Sequence, residues 1–257
     1  MDIAKLNPKD FEEILWSRPE NNRQASTLII LGGSKDHFAI TSRYYMSLAN
    51  TKGVKLSLVL PDYLAKLVGK KDPNIIFVNS SKSGGYYVRQ SLPEIAGIID
   101  GADACLISGE MGNSSETQQF LENLLDDCKV QIILNESALS CFAENYLLKL
   151  LSKDNVTLCI DNLALGKLGR SIKFEKAFTT SLGLAQKLQY FEIFTKKYSC
   201  ALVTSDTGTI WCAKNGKVFY TKSAKNIEQV TADISCWLSW NSKDPLKTIA
   251  STFDNFW

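Results

Sequence analysis

Six short aliphatic and β-branched runs constrain this chain more than any other feature. They are the run opening TLIILGGS (Thr27–Ser34), then Val54–Leu60, Asn74–Asn79, Ala102–Ile107, Val130–Leu134 and Val156–Ile160. Such continuous apolar runs read as strands buried on both faces. Between them lie stretches with helical spacing: Thr41–Asn50, Tyr63–Val68, Leu92–Ile99, a helix from Ser115 with Phe120, Leu121, Leu124 and Leu125 on one face, and Ala138–Leu151. Ser115 and Gln118 have capping-box spacing. Alternation of this kind predicts an α/β fold: a three-layer α/β/α sandwich around a mainly parallel sheet.

After Ile160 the pattern changes. Lys173–Tyr198 reads as mostly helical, weakened in its middle at Gly183. Ala201–Thr204 is a strand, and Thr209–Ala213 and Val218–Thr221 flank Lys214-Asn215-Gly216, a β-hairpin signal. A late antiparallel hairpin is therefore expected beside the parallel strands. Ile227–Trp240 and Leu246–Phe253 are the last helices. At the other end, Asn7 as N-cap and Pro8 at the first helical position predict a helix through Trp16, followed by a polar connector, Ser17–Ser26. With no linker, repeat or low-complexity tract, the expectation is one domain over residues 1–257.

The 257 residues are 45% hydrophobic and 22% charged, with 29 basic and 27 acidic side chains and a net charge of +2. That balance gives no electrostatic basis for binding nucleic acid or an anionic membrane. MDIAKLNPKDFEE has no apolar core of the signal-peptide kind, and no apolar run reaches membrane-spanning length. The seven cysteines show no CxxC spacing. Cys105, Cys159, Cys200 and Cys212 sit in or beside strand-like runs, as small core residues of a reducing cytoplasm do. No metal site is expected.

Several residues carry chemistry in principle. Gly32, Gly33 and Ser34 end the first strand, and Gly109 and Gly112 follow the fourth. Two glycine turns at one sheet edge suit either a ligand pocket or simple chain reversal. His37, the only histidine, lies in a polar loop without a spaced partner and reads first as a surface residue. Asp161 ends the sixth strand, to face a ligand or to cap a helix. Trp237 and Trp240 read as core and surface residues, with a subunit contact in a homo-oligomer as the alternative.

The order of elements, with several short strings, resembles the ribokinase-like NAD(P)H-hydrate dehydratases, a carbohydrate-kinase-related family. The resemblance runs from about Trp16 to the C-terminus. Gly32-Gly33-Ser34 matches the family's opening GGS, but the small-residue pair that follows falls on Ala39 and Ile40, without its glycine. ADACLISGEMG matches the middle signature, with Asp103 and Gly112 in place. Asn135-Glu136-Ser137-Ala138-Leu139 replaces both acids of DADAL. Asp161 and Ala164 stand where TPHPGE has histidine and glutamate. Thr204-Ser205-Asp206-Thr207 stands where a nucleotide-binding KG string is expected, without the lysine. Val230-Thr231-Ala232-Asp233 stands at the GTGD turn without its glycines.

The resemblance implies a catalytic Asp233, a substrate side at Gly32, Gly33, Ser34, Ile40, Gly112 and Asp161, and a nucleotide side at Thr204–Thr207, Thr231 and Ala232. Asp233 reads equally as a mid-helix residue, because Ile227, Val230, Ile234 and Leu238 carry the helical spacing through it. The implied ligands are ADP or ATP, with Mg2+ as companion ion, and an NAD(P)H-type substrate. Three functions stay open: an ADP/ATP-dependent dehydratase of hydrated NAD(P)H, a catalytically silent relative that binds nucleotide or serves assembly, and a small-molecule kinase.

Overall fold

The computed structural model describes residues 3–5, 12–21, 23–35, 37–69, 71–82, 84–109, 111–112 and 114–253. The chain divides into two compact units, Met1–Arg18 with Glu144–Trp257, and Pro19–Ala143. The first unit opens with a short strand, β1 (Ile3–Lys5), and a helical turn, α1 (Glu12–Leu15). The expected cap at Asn7 and Pro8 lies outside the described residues.

Pro19–Ala143 is a parallel α/β unit. In chain order it contains β2 (Ser26–Gly32), α2 (Phe38–Leu48), β3 (Val54–Pro61), α3 (Ala65–Val68), β4 (Ile75–Val78), α4 (Leu92–Asp100), β5 (Ala104–Ser108), α5 (Ser115–Asp126), β6 (Gln131–Asn135) and α6 (Glu136–Leu139). The strand order is β6-β5-β2-β3-β4. The parallel register pairs Leu28 with Ala104 and with Leu56. Every residue of β5 and β6 is buried. Successive side chains on a strand point to opposite faces, so both faces of these strands are covered. Full burial of each Leu or Ile here is worth roughly 1.5–3 kcal/mol. The cap of α5 falls one residue earlier than the spacing suggests: Ser114 Oγ accepts the Thr117 N–H at 3.1 Å.

Glu144–Trp257 carries α7 (Glu144–Leu151), β7 (Val156–Asp161), α8 (Asn162–Ser171), α9 (Leu184–Lys197), β8 (Ala201–Asp206), β9 (Thr209–Lys214), β10 (Lys217–Lys222), α10 (Ile227–Trp240) and α11 (Pro245–Ser251). With β1 its strand order is β1-β10-β9-β8-β7. The β7–β8 and β1–β10 pairs are parallel, and β8-β9-β10 is an antiparallel meander. Two tight turns make it: Thr207-Gly208 (φ 45° and 72°) and Asn215-Gly216 (φ 51° and 76°). Positive φ at both central residues is the I′ geometry that matches strand twist.

Two expected helices differ. Ala138–Leu151 is broken into α6 and α7, because Cys141 turns inward and its Sγ accepts the Met111 N–H at 3.3 Å. Lys173–Tyr198 is helical only from Leu184, with Gly183 as N-cap rather than a weak middle. Phe174 and Phe178 have helical spacing but stack on each other at 5.6 Å in a non-helical segment. Trp237 is buried, and the Arg18 guanidinium lies 5.6 Å from the Trp240 ring centroid. No helix among the described residues is long and apolar enough to cross a membrane.

Candidate functional site

In the Pro19–Ala143 unit, the carboxyl ends of β2, β5 and β6 meet in one hydrogen-bonded cluster. A Cβ on Gly32 would sit 1.6 Å from the Ser108 carbonyl oxygen, so only glycine allows the two strands to approach there. The Gly33 N–H donates to that carbonyl at 3.1 Å, and the Thr41 hydroxyl donates to it at 2.9 Å. The Gly109 N–H donates to Ser137 Oγ at 3.0 Å, and Ser137 in turn donates to Asn135 Oδ1 at 2.9 Å. Asn135 Nδ2 donates to Ser108 Oγ at 3.1 Å. The two glycine turns thus spend these N–H groups inside the protein. The buried Ser34 hydroxyl is different: it has no hydrogen-bond partner among the described residues. A buried polar group without a partner is costly, and it marks a place where a ligand atom or water fits.

Gly112 (φ 107°) packs against the Tyr86 ring. Ile40 is half-buried in the first turn of α2. His37 is exposed and N-caps α2 without a side-chain cap bond.

In the Glu144–Trp257 unit, Asp161 is the N-cap of α8, its Oδ1 accepting the Ala164 N–H at 2.7 Å. The β7–β8 register sets Asp161 beside Ser205. Ser205, Asp206 and Thr207 form one wall of a cavity of about 280 Å³, and Ser223, Lys225 and Asn226 form another. Thr204 lies one residue deeper, with a buried hydroxyl that has no partner among the described residues. The Lys187 ammonium, from α9, donates to Asp206 Oδ2, and these side chains are only 12% and 7% exposed.

Asn226 begins α10. Its Oδ1 accepts the Gln229 N–H at 2.9 Å while Gln229 Oε1 accepts the Asn226 N–H at 3.0 Å. This reciprocal box occupies two of the donors that a helix start would offer an anion, and Glu228 adds negative charge to that turn. Thr231, Ala232 and Asp233 lie beyond this start, inside the helix. Thr231 is buried and its hydroxyl donates to the Ile227 carbonyl at 2.7 Å. Ala232 is buried as well. Asp233 is at the surface, its Oδ2 accepting from Lys225 Nζ at 2.7 Å. The GTGD-like string is therefore continuous helix here, not a helix-opening turn.

Gly32, Gly33, Ser34 and Gly109 gather in one unit; Ser205–Thr207 and Lys225 gather in the other. Asp233 and Gly33 belong to different units. Sequence reasoning missed Lys187 and Lys225, for which no spacing rule gives a signal. The Asn226–Gln229 box was readable as an N-cap residue followed three positions later by glutamine.

These strands and helices define a ribokinase-like α/β fold. A ribokinase-like superfamily protein from Enterococcus faecalis superposes with a TM-score of 0.67 at 15% identity, over 97% of this chain and 84% of that one. A hypothetical protein from Streptococcus mutans gives 0.66 at 14%, over 97% and 87%. The ADP/ATP-dependent NAD(P)H-hydrate dehydratase from Bacillus subtilis, co-crystallised with ATP and Mg2+, gives 0.61 at 12%, over 98% and 86%. No protein-family model matches the chain, and no curated protein matches it by sequence.

Proposed function

We propose that this chain is a ribokinase-like protein that binds a nucleotide-type small molecule without turning it over. The observation that carries this is the closed start of α10. In this reading the anion nest required for phosphate-driven chemistry is replaced by the Asn226–Gln229 box, and Asp233 is held by Lys225. The cavity beside that start keeps polar groups for recognition: the hydroxyls of Ser205, Thr207 and Ser223, and the Lys225 ammonium. Its volume lies near the lower end of the range for small-molecule sites, so it suits one moiety of ADP or ATP. Mg2+ does not fit the carboxylates nearby, since Asp206 is engaged by Lys187 and Asp233 by Lys225.

A second reading, dehydration of hydrated NAD(P)H, draws support from the matched GGS turn and the unpartnered Ser34 hydroxyl. Kinase activity has no comparable support. A thermal-shift panel of ADP, ATP and NADH, run beside a turnover assay on hydrated NADH, separates these readings. The binding reading expects a nucleotide to stabilise the protein by mass action, about 2.7 kcal/mol at a hundredfold excess over Kd. It also expects a smaller shift in Lys225→Ala and no turnover. Turnover that disappears in Asp233→Asn would replace it with the dehydratase. A flat panel would leave both without a basis.

A further inference from the structure

A second cavity, of about 320 Å³, lies in the Glu144–Trp257 unit at the C-terminal end of α8. Arg170, Lys173 and Lys176 line it together with the backbone of Gly166 and Gly169, and Phe174 and Phe178 stand beneath.

The cations are not needed to close the helix. The Ile172, Lys173 and Phe174 N–H groups already donate to the carbonyls of Leu168, Arg170 and Gly169, at 3.0, 3.1 and 2.8 Å. That is a backbone closure, made with Lys173 at φ 50°. Glu144 lies 3.5 Å from Lys173 in an exposed pair, worth little in water. Among the described residues, neither Arg170 nor Lys176 has a side-chain partner. Glu175, between them in sequence, is exposed.

The glycines differ in an informative way. A Cβ at Gly166 would meet the Phe178 carbonyl oxygen at 2.8 Å, so Gly166 is required for packing. A Cβ at Gly169 would meet only a Phe178 ring carbon at 3.5 Å, an ordinary contact. Packing does not demand glycine there, and glycine is a poor helix residue. What Gly169 does preserve is the open volume of the cavity it lines.

We propose that this cavity is a binding site for a phosphate group, carried by a small organic molecule or free as inorganic phosphate. The Arg170 guanidinium presents a planar fork suited to phosphate oxygens, and Lys173 and Lys176 supply point charges around it. The site shares no residue with the cavity beside α10.

The test is an amide NMR titration of the full chain in low salt with glycerol 3-phosphate, inorganic phosphate and neutral glycerol. The two phosphates should shift the Gly166 and Gly169 amides and glycerol should not. Tighter binding of glycerol 3-phosphate assigns an organic phosphate; equal binding assigns the inorganic ion. Arg170→Gln with Lys176→Gln should weaken binding at least about tenfold, as loss of charged hydrogen bonds does. Gly169→Ala should narrow the cavity and weaken binding while holding or raising Tm, which separates occupancy from folding. Silent amides, or affinity unchanged in the double variant, would overturn the proposal.

Discussion

At the scale of single residues, Tyr45 and Asp72 make a contact with a definite pH signature. The Tyr45 hydroxyl donates to Asp72 Oδ2 at 2.6 Å, and the Asn74 N–H donates to Oδ1 at 2.9 Å. Burial, and then the Asp72 contact, pushes the Tyr45 phenol up from 10.0 to about 12. The Tyr45 hydrogen bond, and then the Asn74 N–H, holds Asp72 below its ordinary 3.8. A raised folded value stabilises below the unfolded one, so the tyrosine contribution is complete below pH 10.0 and lost on approach to about 12. A lowered value works oppositely: the Asp72 contribution is present above pH 3.8 and lost as pH falls through the depressed folded value. Denaturant midpoints measured across pH should therefore fall at both extremes. In Tyr45→Phe both losses should shrink; part of the alkaline loss should remain, because burial also pushes the Cys159 and Cys200 thiols up from 9.0 to about 12.

Elements carry the next level of stability, and α10 shows it most directly. Asn226→Ala removes the side-chain acceptor for the Gln229 N–H and should cost about 1 kcal/mol in urea unfolding. Gln229→Ala keeps that acceptor and should cost less. An unchanged midpoint in Asn226→Ala would mean that packing of α10 on β7 alone fixes the helix start.

Much at this level was legible in the sequence. Every one of the six runs up to Ile160 contains a strand; the pattern is clearest in β5 and β6, where burial on both faces leaves no polar position to blur it, and it persists in the half-buried edge strand β4. The Lys214-Asn215-Gly216 turn was legible because its chemistry is local. The Thr207-Gly208 turn was not, since Thr207 is an unusual residue at positive φ and the string resembled a nucleotide segment. Helical spacing at Phe174 and Phe178 misled for a tertiary reason: the two rings pack on each other and on the α9 aromatics Phe191 and Phe194.

For the whole molecule, pairing partners lie far apart in the chain. Leu28 pairs with Ala104, and Ile3 pairs with Val218. Chain-order reasoning could not have found β1, whose three residues become a strand only beside β10. Such non-local parallel pairing is slow to form, and chains of this length populate intermediates. Stopped-flow refolding followed by tryptophan fluorescence should show more than one phase. One sub-millisecond exponential would contradict that expectation.

The candidate site was less legible than the fold because family strings report ancestry, whereas the site depends on which groups are already engaged. The strand-end glycines were visible, but the engagement of their N–H groups by Ser108 and Ser137 was not. Lys187, far in sequence from the turn it holds, is the clearest instance. By tethering Asp206 it fixes the wall of the α10 cavity in the folded chain. Entropy spent ordering that wall is charged to the native state rather than to complex formation, so a molecule arriving there meets a preorganised surface.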